Sequence, residues 1–165
     1  MAQTIKLSRA IFIILMASLS TGIVAQSTGS ALEVGQKLVK TEFLNQHDEA
    51  GSITANTRLL IFVAGGGAGE IVHEVLEKRG DAYLTSNQIA VVADVHRMPS
   101  IITALFAKPR MQNYSYKMFL IHEQGEGDSF PRQAEKVTVL QLDQRKIREI
   151  NFAGNAADLR ALLPD

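Results

Sequence analysis

The segment Arg58-Leu59-Leu60-Ile61-Phe62-Val63 is almost wholly apolar, stops at Ala64-Gly65-Gly66-Gly67-Ala68-Gly69, and gives way at once to an amphipathic stretch. A strand-length run without alternating polar residues is buried on both faces, which places it at the centre of a sheet covered by helices. From Glu70 to Arg79 the apolar Ile71, Val72, Val75 and Leu76 fall on one helical face. Gly80 suits the position just past a helix end. This strand–turn–helix succession commits the chain to an α/β architecture.

The rest of the pattern extends that architecture. Glu42–Asn45 reads as a short strand, and 46–51 as a polar turn ending in glycine. Ile89–Ala93 is a second buried strand ending at Asp94. Pro99 fits the first turn of a helix carrying Ile101, Ile102, Leu105 and Phe106, which Lys108-Pro109 is expected to stop. Lys117–Ile121 reads as a strand and His122–Lys136 as a surface loop. Val137–Leu142 and Lys146–Phe152 flank Asp143-Gln144-Arg145 as a β-hairpin. Asn155 caps a last helix over Ala156–Leu163. The expected order is β-β-α-β-α-β-β-β-α, a single α/β domain over residues 34–165.

The N-terminus follows a different logic. Met1–Arg9 carry Lys6 and Arg9 without an acid, and Ala10–Leu19 is an unbroken apolar run. That is the length of a signal-peptide core and about half of what a bilayer span needs. Ile23-Val24-Ala25 before Gln26 offers a small residue at a cleavage point, so residues 1–25 are expected to be a signal peptide and 26–33 a flexible polar tail. Export follows: to the periplasm of a Gram-negative cell, otherwise to the exterior, with no stable membrane anchor after cleavage. The whole chain has 17 basic and 17 acidic groups. Removing Lys6 and Arg9 leaves 15 and 17, a net charge of −2. Nothing in that balance favours a nucleic-acid partner, which would need clustered positive charge. The chain has no cysteine. Disulfides, thiolate metal sites and thiol catalysis are therefore excluded, and the domain must stand on its core alone.

The element order and several segments resemble the thioredoxin-like superfamily, nearest its peroxiredoxin and thiol-reductase branch. Val34-Gly35-Gln36, Glu42-Phe43-Leu44 and Asp48-Glu49-Ala50-Gly51 are similar to that branch's opening pattern. Leu59–Val63 resembles its first central strand, Lys117–Ile121 the strand after its long helix, and Val139–Ile147 its terminal hairpin. The likeness spans most of residues 34–163. It implies a three-layer domain with a central mixed sheet, a C-terminal β-hairpin and a final helix. The departures fall on the family's chemistry. Gly65–Gly69 stand where its thiol pair follows the first central strand, Tyr116 stands near its cis-proline, and Leu38-Val39-Lys40 replace its opening proline. Attack on a disulfide or peroxide needs an ionisable nucleophile, which glycine and alanine lack. The resemblance therefore implies the fold without the redox activity.

Three motifs carry possible chemistry. Gly65, Gly66, Gly67, Ala68 and Gly69 serve first as a tight turn. They are also the candidate ligand-binding residues, because exposed backbone N–H groups there form a small anion nest. A dinucleotide site, with Asp94 on a ribose hydroxyl, fails on spacing: the third fingerprint glycine falls on Glu70 or Val72. Glu70 is also expected to repel a pyrophosphate from the first helical turn. His73-Glu74-Val75-Leu76-Glu77 misses the second histidine of a zinc-protease motif and reads as a solvated helix face, so no metal site is expected. His96 beside Asp94 is a possible acid–base pair. Tyr114-Ser115-Tyr116-Lys117 is expected to pack on the sheet. No cofactor is implied. The expected role is a non-catalytic domain that binds a protein partner or small ligand. The alternative is an enzyme or nucleotide-binding protein using Gly65–Gly69 with Asp94 and His96.

Overall fold

The computed structural model of the protein describes residues 31–39, 41–99 and 102–165. The expected signal peptide and residues 26–30 of the tail lie outside the described residues, as do Lys40 and Ile101. Within the expected tail, Leu32 touches the domain: its N–H donates to the Ser129 carbonyl at 2.7 Å, and its side chain packs on the core.

Seven strands form one mixed sheet: β1 (Glu42–Asn45), β2 (Ala50–Ser52), β3 (Leu59–Val63), β4 (Ile89–Asp94), β5 (Phe119–Ile121), β6 (Val137–Asp143) and β7 (Lys146–Ala153). Their spatial order is β2-β1-β5-β4-β3-β6-β7. β3, β4 and β5 run parallel, and every other pairing is antiparallel. The central run Leu60–Val63 is buried residue after residue, as its lack of alternation requires.

Apolar side chains project to both faces of the sheet and make two cores. On one, Ile61, Val91 and Val139 meet Val72, Val75 and Leu76 of α1 (Gly66–Leu76), Leu84 of α2 (Gly80–Ser86) and Leu159 of the C-terminal helix. On the other, Leu60, Phe62, Val92 and Leu140 are covered by Leu38, Ile53 and Phe130 from non-helical segments. Phe130, in the long loop before β6, stacks on Phe62 at 4.5 Å between ring centres.

Four local expectations are corrected. The 46–51 turn is shorter than expected, because Ala50–Ser52 pair with β1 as a strand; Gly51 lies so close to the Phe119 ring that a Cβ there would meet it at 2.6 Å. α1 begins at Gly66, one turn before Glu70, and ends at Leu76. Gly80, at φ +70°, terminates one helical stretch and opens α2, whose few apolar residues give little periodic signal. Pro109 does not stop the helix after Pro99. A π-helical turn over Thr103–Ala107, closed by the Lys108 N–H on the Thr103 carbonyl, leads into α3 (Lys108–Gln112). Pro109 is the second residue of α3, directly after the π-helical turn, and the helical backbone runs through it.

β6 and β7 form the expected hairpin, with positive φ at both Gln144 and Arg145, the backbone twist a tight two-residue turn needs. Asn155 caps α4 (Ala156–Leu162): its Oδ1 accepts from the Asp158 N–H at 2.9 Å.

Candidate binding site at the glycine loop

The C-terminal ends of the parallel strands β3 and β4 open onto one face of the molecule. In open α/β sheets that edge is where ligands are bound. Three structures meet there: the glycine loop after β3, the Asp94–Met98 segment after β4, and the π-helical turn.

The glycine loop is built by backbone geometry. Gly65, at φ +138°, occupies the N-cap position without a side chain to cap the helix, and its carbonyl accepts the first helical bond from the Gly69 N–H at 3.1 Å. On one side of the loop lies Glu135, itself at φ +57°. A Cβ added at Gly67 would overlap its carboxylate Oε2 and stand 3.2 Å from its Cδ. The helix N-terminus therefore already faces an anion belonging to the chain, an arrangement the helix dipole favours. Gly66 has open space around the Cβ it lacks.

On the other side of the loop lies a cavity of about 130 Å³. Val63, Ala93, Val95, Met98, Ala107 and Met111 give it an apolar wall, with Gly65, Gly66 and Gly69 along one edge. Glu70 and Arg110 stand at its rim and bind one another through two contacts, Nη1 to Oε1 at 2.9 Å and Nη2 to Oε2 at 3.1 Å. That bond holds the Arg110 guanidinium above its ordinary pKa. The expected repulsion by Glu70 is thereby corrected: it lies beyond the first helical turn and its charge is matched. The carboxylate opposing an incoming phosphate is Glu135.

Asp94 and His96, paired by sequence, do meet. The Asp94 side chain is 1% exposed. Its Oδ1 accepts from the His96 N–H at 3.3 Å and contacts His96 Nδ1, while Oδ2 faces Arg132 Nη1 at 3.4 Å. Arg132 also donates to the Gly127 carbonyl and lies 5.4 Å from the centre of the Phe62 ring. The carboxylate is thus engaged on both oxygens and is not free to hold a ribose hydroxyl. Gly127 passes so close that a Cβ there would come within 2.5 Å of Asp94 Oδ2. The cluster ties the 122–136 loop across the ends of β3 and β4. His96 is not part of the cavity wall.

The helix face expected to be solvated is exposed at Glu74, but His73 on it is half-buried. Its ring stacks on Tyr114 at 4.2 Å, and Tyr114 stacks on Tyr116 at 5.3 Å. His73 Nδ1 stands 3.6 Å from Glu77 Oε2 and makes no hydrogen bond. No group of three or more metal-binding side chains is found among the described residues. Tyr116 is 1% exposed with an unbonded hydroxyl, and burial pushes its pKa far above the ordinary phenol value. Its carbonyl accepts from Gln46 Nε2 at 2.9 Å, and Gln46 Oε1 accepts from the Met118 N–H at 2.9 Å. A buried amide side chain therefore does the work of a strand neighbour just before β5. No cis peptide occurs among the described residues.

The glycines, Asp94 and His96 are the candidates the sequence singles out; Arg132, Glu135, Met98 and Ala107, which stand beside them, carry no sequence signal because their contacts are made across the sheet end. No helix among the described residues is long and apolar enough to cross a membrane.

No protein-family model and no curated protein matches the chain. Solved structures do. A putative thiol:disulfide interchange protein DsbE from Chlorobium tepidum aligns at TM-score 0.55 and 14% identity, over 80% of this chain and 94% of that one. A putative protein disulfide isomerase from Bacteroides thetaiotaomicron aligns at 0.53 and 12%, over 81% and 87%. A peroxiredoxin-like protein from Aquifex aeolicus aligns at 0.50 and 10%, over 78% and 80%. Identities this low establish a shared fold and nothing finer.

Proposed function

We propose that this cysteine-free thioredoxin-like domain is an exported, non-catalytic binding module, whose binding face is the glycine-loop end of the sheet. The observation that carries the reading is the cavity of about 130 Å³ between Gly66, Gly69 and the π-helical turn, at the edge of the sheet where this class of fold receives ligands. π-Helical turns are often found at functional sites, and this one roofs the cavity. Export rests on the positive Met1–Arg9 segment, the apolar Ala10–Leu19 run and Ala25 before Gln26.

Two experiments test it. Intact-mass measurement after expression in a bacterial host should give a chain beginning near Gln26; retention of Met1–Ala25 counts against export. A broad fragment screen, mapped by amide chemical shifts, should perturb Gly65–Gly69, Met98 and Ala107. The binding face is misplaced if bound fragments cluster instead at the far end of the sheet, around Thr54, Thr85, Gln88 and Lys117, where a groove of about 370 Å³ lies.

A second reading draws on the Asp94–His96 contact. A buried carboxylate on Nδ1 fixes the ring tautomer and leaves Nε2 as the proton acceptor, the arrangement of a general base. It predicts hydrolysis of activated esters that His96→Ala abolishes. Arg132 on the other carboxylate oxygen favours a structural role instead.

A further inference from the structure

We infer that the cavity beside Gly66 and Gly69 takes a small, uncharged apolar ring: a single six-membered ring or a group of that size. This rests on the reading of the glycine-loop end as the binding face and names the chemistry of its ligand.

Size sets the first limit. The cavity is about 130 Å³. Apolar cavities of roughly 150 Å³ accept benzene. A nucleotide or peptide segment is several times too large to be enclosed, whereas one ring fits.

The lining sets the second. Val63, Val95, Met98 and Met111 present hydrocarbon and thioether surface, and Tyr114 also lines the cavity. The charged side chains of the lining already hold partners. Asp94 is held by Arg132 and His96, while Glu70 and Arg110 neutralise one another at the rim. A charged ligand would lose its hydration here and meet only charged side chains that already hold a partner, which is costly. An apolar ring needs only the contacts the wall offers.

The roof explains the room. The volume stays open because small residues, Gly66, Gly69, Ala93 and Ala107, face it from both sides. Ala107 closes the π-helical turn, whose Leu105 and Phe106 point outward at 60% and 65% exposure. The larger side chains of the turn are thus turned away from the cavity.

The test is a titration of the protein with benzene and indole, and separately with acetate and glycerol, followed by amide chemical shifts. Ala107→Leu should fill the cavity and weaken benzene binding about tenfold or more, the effect of a methylene or two in an apolar pocket. Met98→Ala should enlarge it and shift preference from benzene toward indole. That variant keeps the test decisive if Ala107→Leu does not fold. Saturable ring-induced shifts at Gly66, Gly69 and Ala107, changed in these directions, support the inference. Shifts there with acetate or glycerol but not with the rings would overturn it while leaving the binding face in place. Ring-induced shifts confined to Thr85, Gln88 and Lys117 would overturn both.

Discussion

The carboxylate of Glu135 lies in the space that a side chain at Gly67 would fill. This contact accounts for one glycine in a loop that holds more of them than a turn requires. The loop's exposed N-terminal backbone is matched by an anion from a segment 68 residues away in sequence, so the nest expected from sequence faces a carboxylate of its own chain. The remaining room of the site lies on the opposite side, toward Ala107.

The glycines should therefore differ when replaced by alanine. Gly66→Ala meets nothing and gains helix propensity, so it should stabilise the protein by about 0.5 kcal/mol. Gly65→Ala is strained at φ +138° and should cost more than about 1 kcal/mol. Gly67→Ala must displace the end of a flexible side chain. Its cost should shrink by at least about 0.5 kcal/mol in a Glu135→Ala background. Denaturant unfolding of the native protein, the three glycine variants, Glu135→Ala and the double variant measures all three effects.

Asp94 is the hinge of a buried ionic cluster. Asp94→Ala leaves Arg132 and His96 without their shared partner and should cost about 3 kcal/mol, the lower end for such a break because Arg132 is 26% exposed. Adding Arg132→Ala to that background should cost less than Arg132→Ala costs in the native protein. Additive effects in urea unfolding would show that the cluster does not act as a unit.

Tyr116 makes stability fall in alkali. Burial raises its pKa above the usual value of 10.0, so the folded state keeps the proton while the unfolded chain releases it. Stability is fully present below about pH 10 and declines as pH rises from there toward the folded-state value. Tyr116→Phe removes a buried hydroxyl that has no partner and should flatten that alkaline decline. The absorbance of tyrosinate checks the same point: one of the three tyrosines should resist ionisation until the protein unfolds.

Thiol chemistry should be absent. Insulin reduction and peroxide consumption should match buffer, because the chain has no cysteine to form a thiolate. Turnover that co-purifies with the protein through successive columns would contradict this.

Much of the fold is legible in the sequence because burial on both faces leaves a distinct mark. Leu59–Val63 and Ile89–Ala93 lack alternation, and both are central parallel strands. The 143–146 turn and the Asn155 cap carry local signals strong enough to be placed within a residue or two. β2 is invisible because Ala50-Gly51-Ser52 has no strand propensity; it is recruited by pairing with β1 and by the Phe119 ring over Gly51. Pro109 misled because the backbone stays helical from the π-helical turn into α3, with the proline at the second residue of α3. The candidate site is half legible. Glycines announce unusual backbone, whereas Glu135 and Arg132 gain their roles only when the 122–136 loop folds over the strand ends.

A crystal structure of the protein under xenon pressure tests the central claim most directly, since xenon occupies apolar cavities without chemical bias toward any ligand. The account predicts xenon density between Gly66, Gly69, Ala93 and Ala107, at the C-terminal ends of β3 and β4. A structure in which Met98 or Met111 fills that volume, with xenon bound only elsewhere, would contradict it.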